Sequence, residues 1–111
     1  MAQTPDPRRK VSLRSEVRGS DWRNLTAYLD DKGALRLDGH DLGPAAGEDG
    51  EYEYFRTIAT EHFPRLLQLL GARPEDLILD VLEKRYTGRA SYKLESILSE
   101  SGIPLNSHNY F

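Results

Sequence analysis

The side chains best suited to chemistry lie together in residues 37–55, LDGHDLGPAAGEDGEYEYF. The segment also carries two tyrosines, Tyr52 and Tyr54, and contains no Lys or Arg. Its acidic and imidazole groups are Asp38, His40, Asp41, Glu48, Asp49, Glu51 and Glu53. Such groups can ligate a divalent cation, transfer a proton or attract a basic partner protein. The segment therefore raises three kinds of function: metal binding, catalysis and protein recognition.

A divalent-metal or small-ligand site would use Asp38, His40 and Asp41. Residues two apart in a strand share a face, so Asp38 and His40 would point to the same side of a sheet. Zinc and iron sites normally need three or four converging ligands, commonly with more than one histidine. The three histidines of the chain, His40, His62 and His108, have no recognised spacing, and DGHDLG lacks the ligand ladder of an EF-hand loop. We expect no metal and no cofactor, and keep this site as the alternative hypothesis.

Catalysis is disfavoured by the residue types that the chain lacks. It has no cysteine and no Gly-x-Ser-x-Gly motif. His40 and Asp41 are neighbours in sequence and would point to opposite faces of a strand, so Asp41 would not orient His40 as a base. The alternative for His40 is structural: a bulge after Gly39 would let its ring hydrogen-bond the adjacent loop. We predict that the chain is not an enzyme.

Length and composition indicate one domain. The 111 residues fit a single compact unit, in which residues 1–9, with Pro5 and Pro7, form a flexible N-terminal arm and residues 10–111 form the domain. No secretory signal and no apolar run of membrane length are visible, which predicts a cytoplasmic protein that does not bind membranes. Cations are not clustered beside the aromatic residues, so nucleic acid is not an expected partner.

Apolar alternation with a period of two predicts four antiparallel strands in the first half. They are KVSLRSEVR, the two arms of WRNLTAYLDDKGALRLDG, and EYEYFRTIA. In the first strand, Val11, Leu13 and Val17 share one face. The DDKG segment predicts a tight turn closed by Gly33 in the left-handed region.

The second half changes to helical periodicity. TEHFPRLLQLLGA, RPEDLILDVLEKRY and ASYKLESILSESG predict three helices, the second with Pro74 near its first position, and IPLNSHNYF can form a short last strand. Strands followed by helices predict an α+β fold, in which a four-stranded meander carries the helices on one face.

The strand alternation predicts an open face opposite the helices. If Leu25, Ala27, Leu29, Leu35 and Leu37 face the helices, the other face carries Trp22, Asn24, Thr26, Tyr28, Arg36 and Asp38. In the fourth strand, we expect Phe55 and Ala59 to point inward, and Tyr52, Tyr54, Arg56 and Ile58 outward. The alternative is that the C-terminal residues SHNYF cover this face.

Trp, Tyr and Arg are enriched at the energetic centres of protein interfaces. We therefore predict a non-catalytic protein that binds a macromolecular partner, namely another protein. We expect the chain itself to be a monomer or a weak homodimer. Two alternatives stay open: the acidic segment is only a loop without a partner, and the chain is a domain with a structural role. The predicted binding residues are Trp22, Tyr28, Arg36, Asp38, His40, Asp41, Glu51, Tyr52, Glu53, Tyr54 and Arg56.

Four sequence motifs support a resemblance to known proteins. They are GHDLG at residues 39–43, YEY at residues 52–54, the early Phe63 and Pro64 of the first helix, and Gly102 with Ile103. With these motifs the chain resembles a family of small bacterial proteins of high-GC, actinobacterial type, over residues 25–105. The resemblance implies no established activity. In size and charge the chain is similar to toxin-immunity proteins, which implies an immunity-type inhibitor as one form of its function.

Overall fold

A five-stranded antiparallel sheet forms one layer of the protein. The computed structural model describes residues 8–43 and 50–110, with the backbone alone at 107–110. Strand order follows the chain, and the strands are β1 (Val11–Arg18), β2 (Asp21–Leu29), β3 (Leu35–Leu42), β4 (Glu51–Ile58) and β5 (Asn106–Tyr110). The four-stranded meander is confirmed, and the backbone of β5 extends the sheet beside β4. Residues 1–7 of the predicted arm and the predicted loop at 44–49 lie outside the described residues.

Three helices form the second layer, as predicted. A 3-10 turn, Thr60–His62, leads into α1 (Phe63–Leu69), which is followed by α2 (Ile78–Arg85) and α3 (Ala90–Glu100). The predicted start of α2 near Pro74 is wrong. The carboxylate of Asp76 accepts a hydrogen bond from the backbone N–H of Arg73 at 2.9 Å, which holds residues 73–76 in a separate turn. In the described part of the chain, no helix is both long and apolar enough to cross a membrane.

The turn between β2 and β3 forms as the sequence predicts. Gly33 has a φ of 82°, in the left-handed region that favours glycine. Its N–H donates to the carbonyl of Asp30 at 2.9 Å, and the Asp30 side chain accepts from the N–H groups of Lys32 and Ala34. This local bonding fixes the register in which β2 and β3 pair.

The core lies between the helices and one face of the sheet. The leucines and alanine predicted to face the helices on β2 and β3 are all buried, with at most 2% exposure. The helices contribute the other half of the core, chiefly through Leu66, Ile78, Leu82, Leu94 and Leu98. Burial of these apolar surfaces is the main source of stability for the two layers.

The first strand departs from simple alternation, because it contains a β-bulge. Ser12 pairs with Thr26 and Arg14 pairs with Leu25, which leaves Leu13 as an extra residue on β1. Leu13 and Arg14 are consequently both buried, at 1% and 3% exposure. The prediction that Val17 shares a face with Val11 and Leu13 is wrong, since the bulge shifts the alternation and leaves Val17 73% exposed on the opposite face.

The buried guanidinium of Arg14 connects β1 to α3. Its Nε donates to Ser91 Oγ at 2.9 Å, and its Nη2 donates to Glu95 Oε1 at 2.6 Å. The guanidinium also lies 3.6 Å from the ring centroid of Tyr92. Burial lowers the pKa of Arg14. The charge and hydrogen bond of the Glu95 carboxylate, with smaller contributions from Tyr54 and Tyr92, raise the pKa by more, so that the net pKa is raised. Arg14 is therefore a buried cation that attaches a helix to the sheet.

The alternation predicted for β4 is reversed. Tyr54 and Ile58 face the helices and are buried, at 5% and 0% exposure, while Phe55 lies on the opposite face. The reason is Gly39, which pairs with Tyr54 across β3 and β4. A Cβ at position 39 would lie closer than 3.0 Å to carbons of the Tyr54 ring. The missing side chain of Gly39 is what allows the Tyr54 ring to lie on the helical side.

Candidate functional site

The sheet surface opposite the helices, here called the open face, is ordered by the strand register. Each row crosses β1, β2, β3 and β4 in turn, and the first two rows are Val17–Trp22–Leu42–Glu51 and Ser15–Asn24–His40–Glu53. The next two are Ser12–Thr26–Asp38–Phe55 and, from β2 onward, Tyr28–Arg36–Thr57. The first two rows make an apolar and acidic end, and the last two make a more evenly charged end.

The apolar and acidic end is centred on His40. Its Nε2 lies 2.8 Å from Glu51 Oε1 and 3.6 Å from Glu53 Oε1. The indole of Trp22 meets the imidazole nearly edge-on, with the ring centroids 5.7 Å apart. One donor atom from each of the His40, Glu51 and Glu53 side chains falls within 4.8 Å of the others. The pairing of β3 with β4 thus brings the His40 imidazole to two carboxylates that are each more than ten residues away from it in sequence.

The opposite end of the open face balances its charges internally. Arg36 Nε donates to Asp38 Oδ1 at 2.9 Å, and this hydrogen bond raises the pKa of Arg36. The Arg36 guanidinium also lies 4.8 Å from the centroid of the Phe55 ring. Lys10 Nζ lies 5.3 Å from the centroid of the Tyr28 ring. Burial, followed by the Asp38 charge, raises the pKa of Tyr28.

A shallow groove connects the two ends. Its volume is about 270 Å³, and polar groups from His40, Glu53, Asp38, Asn24 and Lys10 line it beside the rings of Tyr28 and Phe55. A concave surface with aromatic walls and a few polar groups is the usual form of a binding site. The groove therefore has the form of a binding site on the open face.

Seven of the eleven predicted binding residues lie on the open face. They are Trp22, Tyr28, Arg36, Asp38, His40, Glu51 and Glu53. The predicted positions of Tyr52, Tyr54 and Arg56 on this face are wrong, because the reversed alternation of β4 turns them to the helical side. There the Arg56 guanidinium lies 4.8 Å from the Tyr54 ring centroid, and the Tyr52 ring lies 5.4 Å from it.

The predicted group of Asp38, His40 and Asp41 does not converge. Asp38 is hydrogen-bonded to Arg36, whereas Asp41 pairs with Arg23 and Tyr52 in the ladder and faces the helical side. Burial raises the pKa of Asp41, against the opposing charges of Arg23 and Arg14. The bulge expected after Gly39 is absent, since β3 runs past Gly39 in unbroken register, and the His40 ring contacts Glu51 on β4. The expected contact of the ring with the loop at 44–49 lies outside the described residues.

Sequence reasoning missed several residues of the open face. Val17 is there because of the bulge in β1, and Leu42 because β3 continues beyond Gly39. Phe55 was assigned to the core, and Lys10 was taken only as the beginning of the first strand. For Phe55, the signal was Gly39 on the neighbouring strand, because a glycine can accommodate a large ring on the residue it pairs with, here Tyr54. With the Tyr54 ring on the helical side, Phe55 falls on the open face. For Val17 no signal in the sequence marks the bulge.

Comparisons of this chain with protein-family models, with curated proteins and with solved structures gave no match. The resemblance to small bacterial proteins therefore stays a prediction.

Proposed function

We propose that this chain is a non-catalytic binding protein that recognises another protein through its open face. The observation that carries the proposal is the apolar row formed by Val17, Trp22 and Leu42, in which Val17 is 73% exposed. This row ends at the carboxylate of Glu51. When a partner covers an exposed apolar side chain beside a half-buried tryptophan, apolar surface leaves water, and this contributes favourably to the free energy of binding.

The composition of the open face supports the same proposal. Its half-buried rings come from Trp22, Tyr28 and Phe55, and aromatic side chains supply large contact areas in interfaces. The carboxylates of Glu51 and Glu53 would speed the encounter with a partner of opposite charge. Stoichiometric inhibition of a toxin, in the manner of an immunity protein, is one form that such binding could take, and it stays a prediction.

Selection from a random dodecapeptide display library, against the immobilised full chain, tests this function. We expect selected peptides to shift the backbone amide signals of β2 and β3, and the indole N–H signal of Trp22, in NMR spectra. Val17→Arg should abolish binding because it places a long cation on the apolar row. Gln68→Arg is the matched control, since Gln68 is exposed on α1 in the other layer. Peptides that shift only signals of the helical layer would contradict the proposal.

Divalent-cation binding is the second candidate function. It is favoured by one observation, the convergence of donor atoms from His40, Glu51 and Glu53 within 4.8 Å. An imidazole and two carboxylates form a ligand set that zinc, nickel or manganese accepts. The set differs from the predicted one, since Glu51 and Glu53 replace Asp38 and Asp41.

A titration with Ni²⁺ tests the second candidate. Trp22 is the only tryptophan of the chain, and its ring contacts His40, so a bound paramagnetic ion would quench its fluorescence. His40→Gln should remove the quenching, whereas His62→Gln should leave it unchanged. Equal quenching in both variants would show that nickel is not held by His40.

A further inference from the structure

We propose that the partner segment presents an arginine side chain to Glu51 and Glu53, with an apolar side chain two residues away. This inference rests on the proposed function and specifies the chemistry that the open face recognises. The guanidinium would enter the groove beside His40 and contact the two carboxylates. The apolar side chain would cover Val17 and Trp22.

The first argument is the distribution of charge along the open face. At one end, the Asp38 carboxylate is already hydrogen-bonded to Arg36. At the other end, no lysine or arginine among the described residues forms an ion pair with Glu51 or Glu53, which meet only the imidazole of His40. Among the described residues, carboxylates without a lysine or arginine partner are thus concentrated at one place, and a cation from outside the chain would complement them.

The second argument is the geometry of that place. Glu51 and Glu53 are two residues apart on one strand, and both carboxylates reach a single nitrogen of His40. Two converging carboxylates with an aromatic ring at their side suit a planar guanidinium, which has five N–H donors and stacks on aromatic faces. A lysine ammonium is a compact and strongly hydrated charge, which offers neither the forked donors nor the stacking.

The third argument is the apolar row next to the carboxylates. Trp22 contacts His40, and Val17 pairs with Trp22 in the β1–β2 ladder, so the exposed apolar surface is continuous with the acidic site. Side chains two apart in an extended peptide point to the same side, about 7 Å apart. An extended segment with arginine and an apolar residue in this spacing would therefore reach both parts of the open face.

Titration of the isotope-labelled full chain with synthetic peptides, followed by NMR, tests this inference. The probe is acetyl-Ser-Arg-Ser-Leu-Ser-amide, compared with versions in which citrulline or lysine replaces the arginine, or serine replaces the leucine. Citrulline keeps the shape of arginine without its charge. We expect shifts at Trp22, His40, Glu51 and Glu53, and affinity that falls at least about tenfold with citrulline, because charge-assisted hydrogen bonds are lost.

Protein variants locate the binding on the open face. Glu51→Gln combined with Glu53→Gln should lower the affinity for the arginine peptide at least about tenfold, as citrulline does. Glu61→Gln combined with Glu75→Gln is the control, since both residues are exposed in the helical layer. Equal affinity for the arginine and citrulline peptides, or no shift on the open face at millimolar peptide, would overturn the inference. If dodecapeptides without arginine bind the open face and depend on Val17, the proposed function stands and this inference falls.

Discussion

Gly39→Ala is the substitution whose effect the structure specifies most closely. The backbone of Gly39 is not in the left-handed region, so an alanine meets no conformational penalty there. The added Cβ would instead overlap the buried ring of Tyr54 on the adjacent strand. Overpacking of this kind typically costs about 1–3 kcal/mol, because the ring or the strand must move. We expect Gly39→Ala to lower the free energy of unfolding by that amount.

A double-mutant cycle separates the overlap from other effects. Tyr54→Ala alone should cost about 3–5 kcal/mol, since it truncates a buried aromatic side chain. Once the ring is absent, Gly39→Ala should become neutral or stabilising by about 0.5–1 kcal/mol, the usual advantage of alanine over glycine in a strand. The two substitutions together should therefore cost about 1–4 kcal/mol less than the sum of their separate effects.

Urea unfolding followed by far-ultraviolet circular dichroism measures each corner of the cycle. Tyr54→Phe provides the matched control, because it keeps the ring and loses only the hydroxyl group that lies 3.4 Å from Arg14 Nη1. In that background Gly39→Ala should retain its full cost. The explanation for the reversed alternation of β4 would be refuted if Gly39→Ala cost the same with alanine at position 54 as with tyrosine.

Three further predictions concern charged groups. Glu95→Gln should destabilise the protein by about 1–3 kcal/mol, because it removes the carboxylate 2.6 Å from the buried Arg14 guanidinium and leaves the more distant Glu16 carboxylate, 3.9 Å from Arg14 Nε, as its remaining ion pair among the described residues. Glu100→Gln, at an exposed position of the same helix, should change the free energy of unfolding far less. Equal effects of the two substitutions in urea unfolding would contradict the role of Arg14. The pKa of Asp41 is raised in the folded state above its ordinary value of 3.8, so its ionisation opposes folding. Asp41→Asn should therefore have no electrostatic effect well below pH 3.8 and should become increasingly stabilising as the pH rises through the folded-state pKa. Asp76, whose pKa is lowered by the Arg73 N–H, should show the opposite sign, with Asp76→Asn destabilising at neutral pH and neutral once the pH falls below the folded-state pKa. The free energy of unfolding of each variant is measured at acid and at neutral pH. If both substitutions change it in the same direction between these pH values, the opposite pKa shifts of Asp41 and Asp76 are contradicted.

The parts of the fold that sequence predicted correctly depend on local signals. The β2–β3 turn is determined by Asp30 and Gly33 within one short segment, and α3 begins and ends where its apolar spacing and Gly102 indicate. The start of α2 was misplaced because Pro74 and the acids after it suit a helix start and a separate turn equally well. Local sequence does not decide between the two.

The errors in the candidate site come from long-range pairing. Both faces of β4 carry aromatic residues, so alternation alone could not decide whether Tyr54 or Phe55 is buried. The decision depends on Gly39, which becomes a neighbour of Tyr54 only when β3 and β4 pair. The meeting of His40 with Glu51 and Glu53 depends on the same register. Sequence alone therefore picked out the acidic segment but not which of its side chains come together.

The bulge at Leu13 determines how β1 tolerates changes of length. Since Leu13 is the unpaired extra residue, deleting it would remove one buried side chain and yield a regular ladder with the same partners on either side. Deleting Ser15 instead would exchange the face of Arg14 before it or of the three residues after it, relative to β2. Homologous chains that gain or lose a residue in this strand should therefore do so at the bulge, which acts as the one length-tolerant point of an otherwise fixed register.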